Sequence, residues 1–127
     1  MTVLDAAGAI AQLDRFLAAR GSGDIVLTRE DDDGNVIATV TCRARVDRTK
    51  ADDAPAGIKP SGFNLIISPT PLLAAGWPDG DPANIVPIEN AGDKVALDGD
   101  GRRQTVVWCD PKMIAGRVVR IDMRISG

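Results

Sequence analysis

Residues 36–46, VIATVTCRARV, decide the fold, because apolar and polar side chains alternate through them without interruption. Val40 and Cys42 fall on one face, whereas Thr41 and Arg43 fall on the other. A period of two is typical of a β-strand with one buried face and one solvated face. The stretch therefore predicts a long strand in an antiparallel sheet.

The segments on both sides of this strand continue the β pattern. The acidic turn DDDGN at 31–35 joins it to an earlier strand, and a Gly/Asp turn recurs near residue 100. Such turns are typical of β-hairpins, because Asp, Asn and Gly tolerate positive φ. The other predicted strands are DIVLTRE at 24–30, FNLIIS at 63–68, DKVALDG at 93–99, RRQTVVWC at 102–109 and RVVRIDMRIS at 117–126.

Residues 2–20 predict an amphipathic helix. Thr2 and Asp5 form a capping-box pattern at its start, and Gly21 is expected to end it in the left-handed conformation. Within PTPLLAAGWP at 69–78 we expect a short helix, with Thr70 as its cap. The apolar stripe of the first helix consists of Val3, Ala6, Ile10, Leu13 and Leu17.

These elements together predict a mainly β protein. We expect a small antiparallel β-barrel or sandwich of about six strands, with an N-terminal α-helix. The chain of 127 residues is expected to form one domain, with the helix at 2–20 and the barrel at 24–127. Residues 47–62 have no period and contain Pro, Gly and charges of both signs, so we expect a long mobile loop between strands 2 and 3.

The composition argues against several functional classes. The chain has no His, a net charge of −3, two Cys, two Phe, two Trp and no Tyr. His is the commonest general base and metal ligand, and a phosphate-binding surface is usually basic. We therefore expect no metal, no cofactor and no enzyme activity. With no signal peptide or membrane-spanning run evident, the sequence predicts free thiols in a reducing cytoplasm.

The stretch VVWCDPKMIAGRVVRID at 106–122 raises the question of a catalytic thiol. A reactive Cys needs a nearby His, a cation or a helix N-terminus, and the local pattern is a strand. A period of two places Cys109 on one face with Thr105 and Val107, as a small buried hydrophobe. The Asp110–Pro111 pair predicts a bend over 110–116.

Two charged features have alternative interpretations. The acidic turns at 31–35 and 98–101 resemble calcium loops, but both lack the required ligands at the first and twelfth positions. The basic run on the second strand and after it is either a solvated edge or a contact surface. Because Asp47, Asp52 and Asp53 alternate with these cations, we favour protein contact over DNA. The cations are Arg43, Arg45, Arg48 and Lys50.

The C-terminal string KVALDGDGRRQTVVWCDPKMIAGRVVRIDMRISG at 94–127 resembles a known family. An apolar strand, a Gly turn with basic residues, a Val-rich strand ending in Asp-Pro and a last alternating strand occur in this order in head-closure proteins. These stopper, or head–tail joining, proteins belong to long-tailed bacteriophages and gene-transfer agents. The resemblance covers roughly residues 24–127, and the N-terminal helix departs from it.

The resemblance implies a mechanical role in the virion neck. Copies would form a homo-oligomeric ring, with a hexamer suggested, below the portal or adaptor and above the tail proteins. The ring would close the DNA channel without sequence-specific binding, after assembly in the host bacterial cytoplasm. The implied channel or gating loop residues are Arg48, Lys50, Asp52, Asp53 and Lys59. The implied subunit-contact residues are Ile10, Leu13, Leu17, Trp77, Met113 and Ile114.

Other functions stay open at the level of sequence. A tail-completion or terminator component of the same neck would have similar features. A stand-alone all-β binding module would need a pre-formed apolar pocket, which the shortage of aromatic residues disfavours. An enzyme that uses carboxylates alone would need a concave cluster of Asp residues with raised pKa values.

Overall fold

The computed structural model describes residues 5–21, 23–48, 62–97 and 102–126. Six antiparallel strands form a closed barrel, and a helix precedes the first strand. The predicted mainly β fold with six strands and an N-terminal helix is confirmed, as a barrel. The elements are α1 Ala6–Arg20, β1 Gly23–Glu30, β2 Val36–Arg48, β3 Phe63–Ile67, α2 Thr70–Ala75, a 3-10 helix at Pro82–Asn84, β4 Asp93–Leu97, β5 Gln104–Ile114 and β6 Arg117–Ile125.

The strand order around the barrel is β1-β2-β3-β6-β5-β4. The β1–β2 and β5–β6 hairpins therefore lie on opposite sides of the barrel. The β4–β5 seam that closes it is narrow, because in the described residues only Lys94 pairs with Thr105 and Val95 with Gln104. Both hairpins extend beyond their neighbouring strands at the same end of the barrel, since β4 stops pairing with β1 at Asp93 and β3 stops pairing with β6 at Ile67.

The barrel interior is filled by side chains from every strand. The alternation predicted for β2 holds over its middle, where Val40, Cys42 and Ala44 are buried. Val36 is an exception, 45% exposed, because the β1–β2 register shifts at Arg29 and Glu30. The other buried interior residues are Ile25, Leu27, Leu65, Ile67, Val95, Val106, Ile121, Met123 and Ile125.

The first helix begins later than predicted. Asp5, not Thr2, is its N-cap, and the Asp5 Oδ1 accepts a hydrogen bond from the Gly8 N–H at 2.7 Å. Gly21 ends the helix with an extended backbone, at φ −64° and ψ 152°, so the predicted left-handed stop is wrong. Glycine fits there for a steric reason, because a Cβ atom would lie 2.4 Å from the Leu17 carbonyl oxygen.

The short helix α2 covers one end of the barrel. Pro69 occupies its cap position, so the prediction that Thr70 caps it is corrected. Thr70 is instead the first helical residue, and its hydroxyl donates a hydrogen bond to Asp14 of α1 at 2.7 Å. Gly76 ends the helix in the left-handed conformation at φ 68°. Leu72 of this helix is fully buried against the core.

The β5–β6 hairpin differs from the predicted bend. Strand β5 continues through Pro111 to Ile114, and the turn lies at Ala115–Gly116, where φ is 51° and 78°. Positive φ at both positions is the geometry of a tight two-residue hairpin turn. Pro111 is tolerated because β4 pairs with β5 only at Gln104 and Thr105, so no strand needs its missing N–H.

A bulge in β5 moves Cys109 to the other face. Val106 pairs with Ile125, but Trp108 pairs with Arg124, which leaves Val107 without a partner. Cys109 therefore pairs with Met123, whose side chain is in the barrel interior. The prediction that Cys109 shares a face with Thr105 and Val107 is wrong, because it assumed an unbroken period.

Candidate interaction surfaces

The residues predicted to form the channel loop lie mostly outside the described part of the chain. Arg48 is the last residue of β2, and its backbone pairs with Phe63. The other four, Lys50, Asp52, Asp53 and Lys59, belong to residues 49–61, which the structure does not describe. Their gating role stays a prediction.

Two cations of the basic run contact the chain's own first helix. The Arg43 side chain donates hydrogen bonds to the Leu17 and Gly21 carbonyl oxygens, both at 3.2 Å. Arg45 donates to the Arg20 carbonyl oxygen at 3.5 Å. These carbonyls lie at the C-terminal end of α1, where cations satisfy unpaired groups and interact favourably with the helix dipole. Arg43 and Arg45 thus hold α1 on the outer face of the barrel.

Three of the six predicted subunit-contact residues are buried within the chain itself. Leu17 and Trp77 are each 2% exposed and Ile10 is 7% exposed. Their burial is explained by packing inside one copy, and their contact role stays a prediction. Leu13 and Ile114 are half-buried, and Met113 is 51% exposed.

A buried ion pair lies at the end of the barrel near α2. Arg29 Nε and Nη2 donate to Asp93 Oδ1 and Oδ2 at 2.7 and 2.8 Å, a bidentate geometry. Asp93 is 1% exposed and also accepts a hydrogen bond from the Ile88 N–H at 2.7 Å. The Arg29 guanidinium lies 5.5 Å from the centre of the Trp77 ring. The hydrogen bonds to Asp93 raise the pKa of Arg29 above its ordinary value.

This cluster was missed by the sequence analysis, although a signal for it was present. Arg29 follows Ile25 and Leu27 on the inward register of β1, where a charge is unexpected. Asp93 lies two residues before buried Val95, so it is on the inward register of β4. An inward charge on each of two strands predicts a buried pair once the strands are known to be neighbours. The cluster connects the 76–92 segment to the barrel end.

The environment of the two cysteines argues against nucleophilic chemistry. Burial raises the pKa of the Cys42 thiol to about 12, and the nearby Asp24 carboxylate acts in the same direction. Burial also raises the pKa of Cys109 to about 12, with further contributions from Glu89 and Asp110. A thiol in this state is almost fully protonated at neutral pH.

Both cysteines are therefore expected to alkylate slowly in the folded protein. A pKa of about 12 in place of 9.0 lowers the thiolate fraction at pH 8 roughly a thousandfold. Mass spectrometry after timed iodoacetamide treatment would measure the rates, with the chain in guanidinium chloride as the unfolded control. Fast labelling of native Cys109 at neutral pH would revive the hypothesis of a catalytic thiol.

Two apolar grooves flank the β5–β6 hairpin. The helix groove, about 450 Å³, lies between α1 and the outer face of the hairpin. Its walls are Ala9, Gln12, Leu13, Phe16, Ile66, Lys112, Val119 and Arg120. The tip groove, about 410 Å³, lies between the hairpin turn and the segment around α2. Its walls are Leu73, Pro82, Ala83, Ile85, Met113, Gly116, Arg117 and Val118.

The two grooves differ in their charges. In the helix groove, Lys112 forms an ion pair with Asp110, and Arg120 forms one with Asp122. In the tip groove, the exposed Arg117 side chain has no hydrogen bond or ion pair within the described part of the chain. The tip groove thus combines apolar walls with one uncompensated cation.

The turn of the β1–β2 hairpin has the opposite charge. Asp31 is used within the turn, where its carboxylate accepts hydrogen bonds from the Asp33 and Asn35 N–H groups. Hydrogen bonding to Asn35 accordingly lowers the pKa of Asp31. The carboxylates of Asp32 and Asp33 are exposed, and no ion pair is found for either among the described residues. Val36, next to this turn, is 45% exposed, and Ile37 is 61% exposed.

Two other kinds of feature, a metal-binding cluster and a membrane-spanning helix, are absent from the described ranges. No group of three or more His, Cys, Asp or Glu side chains in these ranges is placed to hold a metal ion. The helices in them are too short or too polar to cross a membrane.

The fold and these surfaces define a small closed β-barrel with two projecting hairpins of different character. One hairpin has an acidic turn, and the other borders an apolar groove with a cation, Arg117, that is unpaired within the described residues. No protein-family model matches the chain, and no curated protein or solved structure is significantly similar to it.

Proposed function

We propose that this chain is a head-closure protein of a long-tailed bacteriophage or gene-transfer agent. Copies form a ring below the portal or adaptor, close the channel after DNA packaging and provide the docking surface for the tail. The observation that carries the proposal is a small barrel whose two hairpins extend from one end, on opposite sides. Such a unit can contact two neighbours at once, and the string at 94–127 resembles this family.

The contents of the barrel support a mechanical role. Its interior is packed with aliphatic side chains, so the grooves lie on the outside. Both thiols have raised pKa values, and the Arg29–Asp93 pair is satisfied internally. The exposed features of the hairpins are suited to contacts between proteins, and we propose no catalytic role.

The proposed partners follow from the same resemblance. The ring, a hexamer by resemblance, contacts the portal or adaptor on one side and tail proteins on the other. DNA passes through its lumen without sequence-specific contacts, which suits a chain with net charge −3. The loop that follows Arg48 closes the lumen. Assembly takes place in the host bacterial cytoplasm, and the mature protein resides in the virion neck.

Deletion of the gene tests this function directly. We expect particles with packaged heads that lack tails and lose their DNA, and we expect complementation to restore infectivity or transfer. Cryo-electron microscopy of intact particles would locate the chain as a ring in the neck. Normal particles after deletion, or a neck map without density for this chain, would exclude the proposal.

The same map would separate the two neck functions. A head-closure ring lies directly below the adaptor, whereas a tail-completion component lies at the upper end of the tail tube. Density only at the tail end would replace the first assignment with the second. A chain present in cells but absent from particles would favour the all-β binding module.

A further inference from the structure

We infer that the acidic turn of the β1–β2 hairpin in one copy binds the tip groove of the next copy. The groove supplies apolar walls and the Arg117 guanidinium, which is unpaired in the described part of the chain. The turn supplies the free carboxylates of Asp32 and Asp33 beside exposed Ile37. The inference rests on the proposed ring and identifies the residues of its subunit contact.

Charge complementarity selects this occupant. Arg117 has no acidic partner within its own chain in the described ranges, unlike Lys112 and Arg120, which have Asp110 and Asp122. The turn residues Asp32 and Asp33 are likewise without cations. Opposite charges on two surfaces of one chain favour association of copies and fix their register.

The apolar parts of the two surfaces match in the same way. Val36 and Ile37 stand beside the acidic turn and are 45% and 61% exposed. In the tip groove, Leu73 is 38% exposed and Met113 is 51% exposed. Covering these side chains at a common contact removes apolar area from water on both copies, while the charges lie at the rim.

The position of the two surfaces favours a closed ring over a filament. They differ from each other, so contact between them is heterologous and each copy binds two neighbours. They lie on opposite sides of the barrel but at the same end. A rotation about an axis parallel to the barrel axis brings one surface to the other without a rise along that axis. Contacts without a rise close into a ring when the rotation is a whole fraction of a full turn.

Charge reversal of each surface provides the test. Arg117→Asp disables the groove, and the double variant Asp32→Lys/Asp33→Lys disables the turn. Sedimentation velocity over concentrations up to about 1 mM would measure association. We expect each variant to associate at least about tenfold more weakly than the wild type, as for a close interfacial charge pair. Arg15→Asp, a charge reversal at an exposed position of α1, is the matched control and should associate normally.

Mixing the two disabled variants gives a sharper result. Arg117→Asp retains its acidic turn, which can bind the intact groove of the turn variant. The lysines introduced in the turn variant are complementary to the aspartate introduced at position 117, so both kinds of contact in the mixture join opposite charges. We expect the mixture to regain association beyond a dimer, whereas each variant alone stays monomeric. Circular dichroism would confirm that every variant is folded.

Several outcomes would overturn the inference. They are wild-type protein that stays monomeric at the highest concentration, a variant that associates normally, and a mixture that fails to regain association while the wild type associates. An acidic peptide from another protein that binds the groove while copies do not associate would also overturn it. None of these results removes the chain from the neck, so failure of the contact and failure of the proposed function are distinguishable.

Discussion

Replacement of Asp93 by asparagine is expected to lower the free energy of unfolding by about 3 kcal/mol. The Asp93 carboxylate is 1% exposed, pairs with Arg29 through two hydrogen bonds and accepts a third from the Ile88 N–H. Asparagine keeps the shape but removes the charge, so the Arg29 guanidinium is left partly buried and without its counter-ion. Urea unfolding followed by tryptophan fluorescence would measure the loss.

Two further variants show whether the loss of stability comes from leaving a buried charge unpaired or from the loss of any ion pair. Asp47→Asn breaks the exposed Arg45–Asp47 pair, whose atoms are 3.4 Å apart, and should cost less than about 1 kcal/mol. Arg29→Met combined with Asp93→Leu leaves no unpaired charge and should cost less than Asp93→Asn alone. Equal, small losses in Asp93→Asn and Asp47→Asn would contradict a structural role for the buried pair.

The pair has this effect because it holds the 76–92 segment against the barrel. Asp93 binds the backbone of Ile88, and the Glu30 N–H donates to the Gly92 carbonyl oxygen at 2.8 Å. The backbones are so close at this point that a Cβ on Gly92 would lie 2.1 Å from the Glu30 carbonyl oxygen. Loss of the buried charge is therefore expected to weaken the attachment of residues 76–92 to the barrel.

Local sequence patterns predict where the strands lie. They do not predict which residues are buried where a strand departs from a regular period of two. The alternation in β2 predicted its buried residues correctly from Val40 to Ala44. In β5 the bulge at Val107 shifts the register and places Cys109 inside. Pro111 suggested a bend, but it continues the strand paired with β6, and the opposite edge of β5 has no neighbouring strand at Pro111 among the described residues. Bulges and edges depend on neighbouring strands, which a single segment does not reveal.

The candidate surfaces depend still more on long-range pairing. Arg29 and Asp93 are distant in sequence and meet only because β1 and β4 are neighbours in the closed barrel. Arg43 was recognised as an outward cation, but its partners on α1 follow from the docking of that helix. The contact role of Met113 stays a prediction. The structure places Met113 in the wall of the tip groove.

Replacement of Trp77 by alanine is expected to cost about 3–5 kcal/mol of stability. Trp77 is 2% exposed, packs in the core cluster with Leu72 and Ile85, and has the Arg29 guanidinium over its ring. Truncation removes this packing and the cation–π contact together, and it opens a cavity beside the buried ion pair. Because the variant loses a fluorophore, urea unfolding should be followed by circular dichroism.

Trp108→Ala is the matched control, because Trp108 is 47% exposed on the outer face of β5 and should cost less than about 1 kcal/mol. The stability of Trp77→Phe should lie between those of Trp77→Ala and Trp108→Ala. The indole N–H of Trp77 is buried without a hydrogen-bond partner among the described residues, and phenylalanine omits it.

The series also decides between two roles for Trp77. A core residue changes the unfolding of an isolated copy, whereas a subunit-contact residue changes association and leaves that unfolding intact. Because the side chain is enclosed by its own chain, we expect the first outcome, and a Trp77→Ala variant of wild-type stability would show that this packing is wrong.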